Sequence, residues 1–530
     1  MPDTLSPPQL DAMRAHSGSF ALLDVREAGE YNAAHIPDSS LVPRRQIEFR
    51  LQRLLPFTGT RVVLYDDDGR RAALAAATLE RMGYTSVSVL EGGVNRWAAS
   101  GYPTEWGMNV FSKDFGEGVS VRHRIPELTA DELHQRQQSG EKLLIVDTRT
   151  PEEFRRASIP GGRSVPSAEL PLRFYDILKG QEGATIVVNC AGRTRSIIGA
   201  RTLQRMGFSN VYDLRNGTSG WVLAGLELES GSDRVALPDP SPEGLAVARR
   251  FAASIAAEDG VRYLSVDGLR AVMERADSET VHLIDVRTEE EYRQGHLPGF
   301  GWFAGGQAVQ RTDEVVAVRD ATIVFCCDDV VRATVTASWY RQMGLPNIFV
   351  LEGGATAWEA AGLSLEVGTP AEPPFGLAEA REAAPFIAPR SLQPRLEGPA
   401  PSATVIFVGL SRDFALGHVP GAHWVPRGWL EMRVDSVAPS TGAPVVVTSV
   451  GDEDAALSAA TLRGLGYGDV RVLEGGMAAW KEARLPLETG LSGVMSPPVD
   501  LVPAGTDRSY ADMVHYLRWE EALGEKHQAA

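Results

Sequence analysis

Apolar residues along this chain gather in short runs of four or five, rich in β-branched side chains. Between the runs lie stretches whose apolar positions recur at helical spacing. Residues 143–214 illustrate the alternation. Leu143–Val146 reads as a strand, Pro151-Glu152-Glu153-Phe154 as a helix start and Thr185–Val188 as another strand. Ile197–Met206 carries an amphipathic pattern that stops at Gly207, as a glycine beyond a helix end would make it, and Val211–Leu214 is a third strand. Strands alternating with helices at this spacing predict an α/β fold, a mainly parallel sheet flanked by helices. Ligands of such sheets bind at the carboxyl ends of strands.

The pattern occurs four times, at a domain-sized period. Leu90-Glu91-Gly92-Gly93, Leu214-Arg215-Asn216-Gly217, Leu351-Glu352-Gly353-Gly354 and Leu473-Glu474-Gly475-Gly476 mark the copies, each with a tryptophan seven residues after the leucine. Counting back 24 residues from each leucine lands on Asp66, Cys190, Cys327 and Ser449, each behind a strand-like run. Upstream stand Asp24-Val25-Arg26, Asp147-Thr148-Arg149 and Asp285-Val286-Arg287, with Phe407-Val408-Gly409 in the fourth copy. Eleven residues after each start come His35, Ser158, His296 and His418. The expected modules are 1–110, 120–230, 243–368 and 386–491, followed by a tail, 492–530, with one amphipathic helix over Tyr510–Leu523. That helix is expected to dock on the body of its own chain through Tyr510, Met513, Val514 and Leu517.

Composition narrows the chemistry. A net charge of −17 argues against non-specific binding to nucleic acid or to an anionic membrane. No run approaches the roughly 20 apolar residues of a membrane helix. The three cysteines, two of them adjacent, form no disulfide framework, and the ten histidines lack metal-ligand spacing to them. No metal or cofactor is expected, and a reduced, cytoplasmic setting fits best.

Cys190 carries the strongest chemical signal. It ends the run Ile186–Asn189, and Ala191-Gly192-Arg193-Thr194-Arg195-Ser196 leads into the next helix. Backbone N–H groups of such a turn converge into an anion cradle, helped by the positive end of the helix. Gly192 permits the dihedrals this needs, and Thr194 and Ser196 offer hydroxyl donors or cap the helix. Arg193 would attract an anionic substrate, and Arg195 would either do the same or hold the scaffold, since Arg71 stands at its place in a copy without a thiol. A positive charge about 6 Å away at an effective dielectric near 20 contributes roughly 3 kcal/mol, enough to leave the thiol mostly ionised near neutrality. Cys327 precedes Asp328-Asp329-Val330-Val331-Arg332, and those acids should raise its pKa and repel an anionic donor. Cys326 should face the other side of the sheet as a small apolar residue.

These residues resemble the rhodanese family. The set Asp285-Val286-Arg287, Glu291-Tyr292, Gly295-His296-Leu297-Pro298-Gly299, Cys327 and Leu351-Glu352-Gly353-Gly354 carries the resemblance most fully, and it extends from about Leu5 to Leu491 in four copies. It implies four small α/β modules and transfer of sulfane sulfur, without a cofactor, through a cysteine persulfide. The donor would be thiosulfate or a related small sulfur-containing anion; the acceptor would be cyanide, a thiol or a protein. Cys190, and with less support Cys327, would be the catalytic thiols, with residues 191–196 and Arg332 binding substrate. Asp66 and Ser449 cannot carry a persulfide, so copies one and four read as structural or regulatory. The family's tandem habit of a silent module beside a working one fits copies one and two.

Two other readings stay open. Thiol-free modules suit a sulfur carrier or an interaction scaffold. A cysteine phosphatase or arsenate reductase would use a Cys-x5-Arg loop, and Cys190 to Arg195 is one residue shorter. The smaller ring suits a single sulfur atom better. The motif carboxylates and histidines recur where the thiol is absent, which fits scaffold roles rather than acid–base catalysis.

Overall fold

The computed structural model describes residues 2–15, 19–370, 372–398 and 401–528. It contains four five-stranded sheets, all parallel, each with the order 1-5-4-2-3 when strands are counted along its module. The fourth strand is central: Val62–Tyr65, Thr185–Asn189, Thr322–Cys326 and Val445–Thr448. Helices cover both faces, so these apolar runs do not alternate, and every residue of Thr185–Asn189 is buried. The next residue at each carboxyl end is Asp66, Cys190, Cys327 or Ser449, as the spacing predicts.

The chain divides into two compact units. One comprises residues 1–108 and 371–502, and therefore holds modules one and four; the other comprises 109–370 and 503–530, with modules two and three and the final helix. The expected pairing of copies one and two is thus replaced: the two thiol-bearing modules share one unit and the two thiol-free modules share the other. The cause in the second unit is the helix Pro242–Asp259, which follows the Pro-rich linker. Ser241 caps it, accepting a hydrogen bond from the Gly244 amide at 3.1 Å, and Ala248, Phe251, Ala252 and Ile255 form its buried face. Phe251 and Ile255 share one apolar core with Phe174 of module two and Phe325 and Tyr340 of module three, while Ala248 and Ala252 pack with Leu172 and Val331. In the first unit Arg427 of module four pairs with buried Glu48 of module one, and the Arg71 guanidinium lies 3.8 Å from the Trp429 ring centroid.

Three helices of the second unit frame the site: α1 (Val110–His123), α2 (Thr194–Arg205) and α3 (Tyr510–Gln528). Helix α3 docks on its own chain as expected. Its buried positions are Met513, Leu517, Glu520 and Gly524, while Tyr510 is exposed. Among the described residues no helix is long and apolar enough to cross a membrane.

Candidate active site

Cys190 sits where the central strand gives way to α2. The loop is held from below by the start of the helix Gly217–Leu223: Thr218 N donates to Cys190 O at 2.9 Å and Ser219 N to Ala191 O at 3.1 Å. Gly217 has φ +51°, and a Cβ there would stand 2.1 Å from Cys190 O. The marker glycine therefore supports the loop backbone. The same contact recurs at Gly93 under Asp66 and at Gly354 under Cys327, which explains the constant spacing between marker and loop.

The polar side chains of the loop are already engaged. Ser196 Oγ lies 3.4 Å from Cys190 Sγ and donates to Arg193 O at 2.8 Å. Arg195 donates to both oxygens of Glu153, at 2.8 and 3.0 Å. Arg71 with Glu30 and Arg332 with Glu291 repeat that fork, so this arginine fastens the loop in every module that has it. Arg193 donates to Glu117 on α1 at 2.5 and 3.0 Å and to Glu127 at 2.9 Å. Thr194 Oγ1 donates to Glu520 Oε1 on α3 at 3.0 Å. Gly192 faces the same helix: a Cβ on it would meet Glu520 Oε2 at 3.2 Å, Tyr516 at 3.7 Å and Leu517 at 3.8 Å.

Cys190 is only 2% exposed. Burial pushes its thiol up, Asp213 reinforces this, and the Arg195 charge and Ser196 hydrogen bonds oppose it without prevailing. The ionised thiol expected near neutrality is therefore not the form this conformation favours. Arginine charge alone would ionise the thiol, but carboxylates engage both arginines and a helix covers the loop. Burial also lifts Glu117 to about 7, against Arg193, and Asp213 to about 8. Asp213 stands at the strand position held by Val89, Val350 and Val472 in the other modules, with Ser196 and Arg193 as its polar neighbours.

The equivalent loops differ in what fills them. In module one Asp66 seats its carboxylate on the cradle, accepting from Gly69 N at 2.5 Å and Arg71 N at 2.7 Å. In module three Asp329 Oδ1 accepts from Val331 N at 2.8 Å and Arg332 N at 3.4 Å. The Cys327 thiol donates to that same oxygen at 3.5 Å, and burial with the Asp329 charge pushes the thiol well up. Arg332 is taken by Glu169, Glu291 and Asp329. In module four Ser449 Oγ donates to Gly451 O at 3.0 Å. Only the loop after Cys190 has no acid of its own within residues 191–196.

The other expected residues hold scaffold positions. Arg149 forks onto Asp147 and donates to Ala157 O at 2.5 Å; Arg26 and Arg287 repeat the arrangement. His35, His296 and His418 are buried and stacked on Tyr31, Tyr292 and Phe414. Cys326 packs with Leu269 and Trp358 on the opposite side of the sheet from Cys327, as alternation along a strand requires. Among the described residues no group of His, Cys, Asp and Glu is placed to hold a metal ion. Sequence reading missed Glu520, Tyr516, Glu117, Lys113 and Asp213. The only available signal was the apolar face of α3, which continues from Met513 and Leu517 to Glu520.

Comparison with known proteins adds a second line of evidence. The family described as "Rhodanese-like domain" matches residues 6–100, 129–224, 269–361 and 401–483. A crystal structure of a thiosulfate sulfurtransferase from Pseudomonas aeruginosa is 36% identical, with a TM-score of 0.89 over 99% of this chain and 98% of that one. A sulfurtransferase of Allochromatium vinosum is 31% identical over 104 residues, 20% of this chain and 94% of the relative. A putative thiosulfate sulfurtransferase of Synechococcus elongatus is 24% identical over 273 residues, 41% of this chain and 82% of the relative.

Proposed function

The chain belongs to the rhodanese family, in four modules, and from that premise we propose that it is a thiosulfate sulfurtransferase whose working thiol is Cys190. The Cys190 thiolate attacks the outer sulfur of thiosulfate. The bond between the two sulfurs of the donor breaks, and sulfite leaves with the electron pair. The product is a persulfide, Cys190–S–S⁻. An acceptor, cyanide or a thiolate, then attacks the terminal sulfur, and the Cys190 thiolate is restored. No external oxidant or reductant enters the cycle.

The observation that carries this reading is the seat of Asp66. In module one the loop backbone holds a carboxylate at 2.5 and 2.7 Å. The equivalent loop after Cys190, in which Arg193 at φ −126° replaces left-handed Gly69 at φ +98°, keeps the Ser196 amide on the sulfur and would turn its amides to the terminal sulfur of a persulfide. Arg195 places a fixed positive charge beside the reacting sulfur, where it offsets the negative charge of donor and leaving group. Ser196 Oγ, 3.4 Å from the sulfur, orients the thiol. Cys327 takes no part in this scheme, because Asp329 fills its cradle and holds its proton.

The test is thiocyanate formation from thiosulfate and cyanide. Cys190→Ser should lower the rate by at least about a hundredfold, as loss of a nucleophile does. Cys327→Ser should retain most of it. Full activity in Cys190→Ser would refute the assignment. Release of phosphate from a phosphoryl ester without thiocyanate would replace sulfur transfer with phosphatase chemistry.

A further inference from the structure

Helix α3 lies across the mouth of the Cys190 loop. Gly505, just before it, comes within 3.4 Å of Ala191 Cβ, measured from the Cβ position it would carry. Leu517 and Tyr516 stand over Gly192, and Glu520 receives the Thr194 hydroxyl. Glu520 is itself 1% exposed, with Tyr516 and Lys113 beside its carboxylate. A buried carboxylate is unfavourable unless something else requires it there. In modules one and three a carboxylate from the loop occupies the cradle. The Cys190 loop contains none, and the carboxylate that α3 brings from more than 300 residues further along the chain accepts from the Thr194 side chain at the rim of the loop.

We propose that α3 is an autoinhibitory cap on Cys190, with Glu520 a pseudosubstrate anion that must withdraw before a sulfur donor can reach the thiol. That donors are the molecules excluded rests on the sulfurtransferase reading; that the thiol is gated does not. The cap is built to open. Its apolar anchors into the body are Met513 and Leu517, and Gly524 packs closely on Glu117 of α1. Buried contacts add to these, Thr194 with Glu520 and Lys113 beneath Tyr516 and Trp519, and the other attachments lie at the rim. Arg215 pairs with Glu521 at 2.9 Å, Lys526 with Asp114 at 2.7 Å and Arg156 with Asp507 at 3.0 Å, each through side chains partly or largely in solvent. Such pairs hold weakly and loosen with salt. The Lys113 ammonium is buried beneath the helix, 4.8 Å from the Tyr516 ring centroid and 5.3 Å from that of Trp519. Opening would hydrate Lys113 and Glu520 together, which favours the open form electrostatically.

The experiment measures alkylation of each cysteine in the full-length protein, by mass spectrometry of its peptides. Iodoacetamide should modify Cys190 slowly in the wild type. It should act at least tenfold faster on a Met513→Asp/Leu517→Asp variant, with Cys326 and Cys327 as protected as before. Their protection reports that the body of the unit stays folded. Glu520→Gln, which preserves shape, should raise modification by iodoacetate relative to neutral iodoacetamide, because it removes charge from the entrance. Wild-type Cys190 reacting as fast as a free thiol, or no acceleration in the double variant, would overturn the cap. Thiocyanate assays on the same proteins separate the two proposals. Faster alkylation without thiocyanate retains the cap and refutes sulfur transfer. Full wild-type turnover that the double variant leaves unchanged retains sulfur transfer and refutes the cap.

Discussion

Asp213 is the residue whose behaviour the other modules predict most directly, since each places valine at that position of its fifth strand. Burial lifts its carboxyl to about 8, from an ordinary value near 4. The folded state therefore keeps a proton that the unfolded chain loses as pH rises above about 4. Its contribution to stability is present below that pH and is lost progressively as pH rises towards 8. Asp213→Val should raise the melting temperature of the second unit at pH 7 by the equivalent of about 1 to 3 kcal/mol. It should also flatten the decline in stability between pH 5 and 8, and melting curves across that range check both. The thiol follows the same arithmetic. Because burial pushes Cys190 up, its alkylation in the closed protein should climb steadily with pH beyond neutrality rather than level off below it. The loop motif was legible at this scale, but its electrostatics were not. The arginines could be named from sequence, whereas the carboxylates they face, Glu117, Glu127 and Glu153, stand on other segments of the chain.

At the scale of elements, the constant spacing between loop and glycine marker is a contact made visible in the sequence. A Cβ on Gly217 would collide with Cys190 O at 2.1 Å in a backbone conformation that already strains an ordinary residue. Gly217→Ala should cost more than about 2 kcal/mol and misplace the thiol. Thiocyanate turnover should then fall further than thermal stability alone explains. The strand–helix alternation and the parallel sheets were readable because they depend on local runs such as Thr185–Val188 and on glycines that end helices, such as Gly207. The partner of α3 was not readable. The helix declares an apolar face, Met513 with Leu517, but nothing along residues 510–528 says that the face covers residue 192.

At the scale of the molecule, the chain sorts its modules by whether they carry a thiol, with two and three in one unit and one and four in the other. Succession along the chain suggested otherwise, because the helix Pro242–Asp259 follows what looks like a divider and in fact ties its neighbours into one core. Within the second unit the two thiols are unequal: Asp329 stoppers the Cys327 loop from within, while α3 covers the Cys190 loop by a contact that can part. Where sulfur lodges therefore distinguishes the two thiols. Full-length protein and the Met513→Asp/Leu517→Asp variant, each incubated with thiosulfate and digested without reductant, give the answer by mass spectrometry of the peptides bearing Cys190 and Cys326-Cys327. The prediction is a gain of one sulfur atom on the Cys190 peptide alone, slow in the wild type and faster in the variant. Sulfur on the Cys326-Cys327 peptide instead, or on neither peptide of the variant, would contradict it.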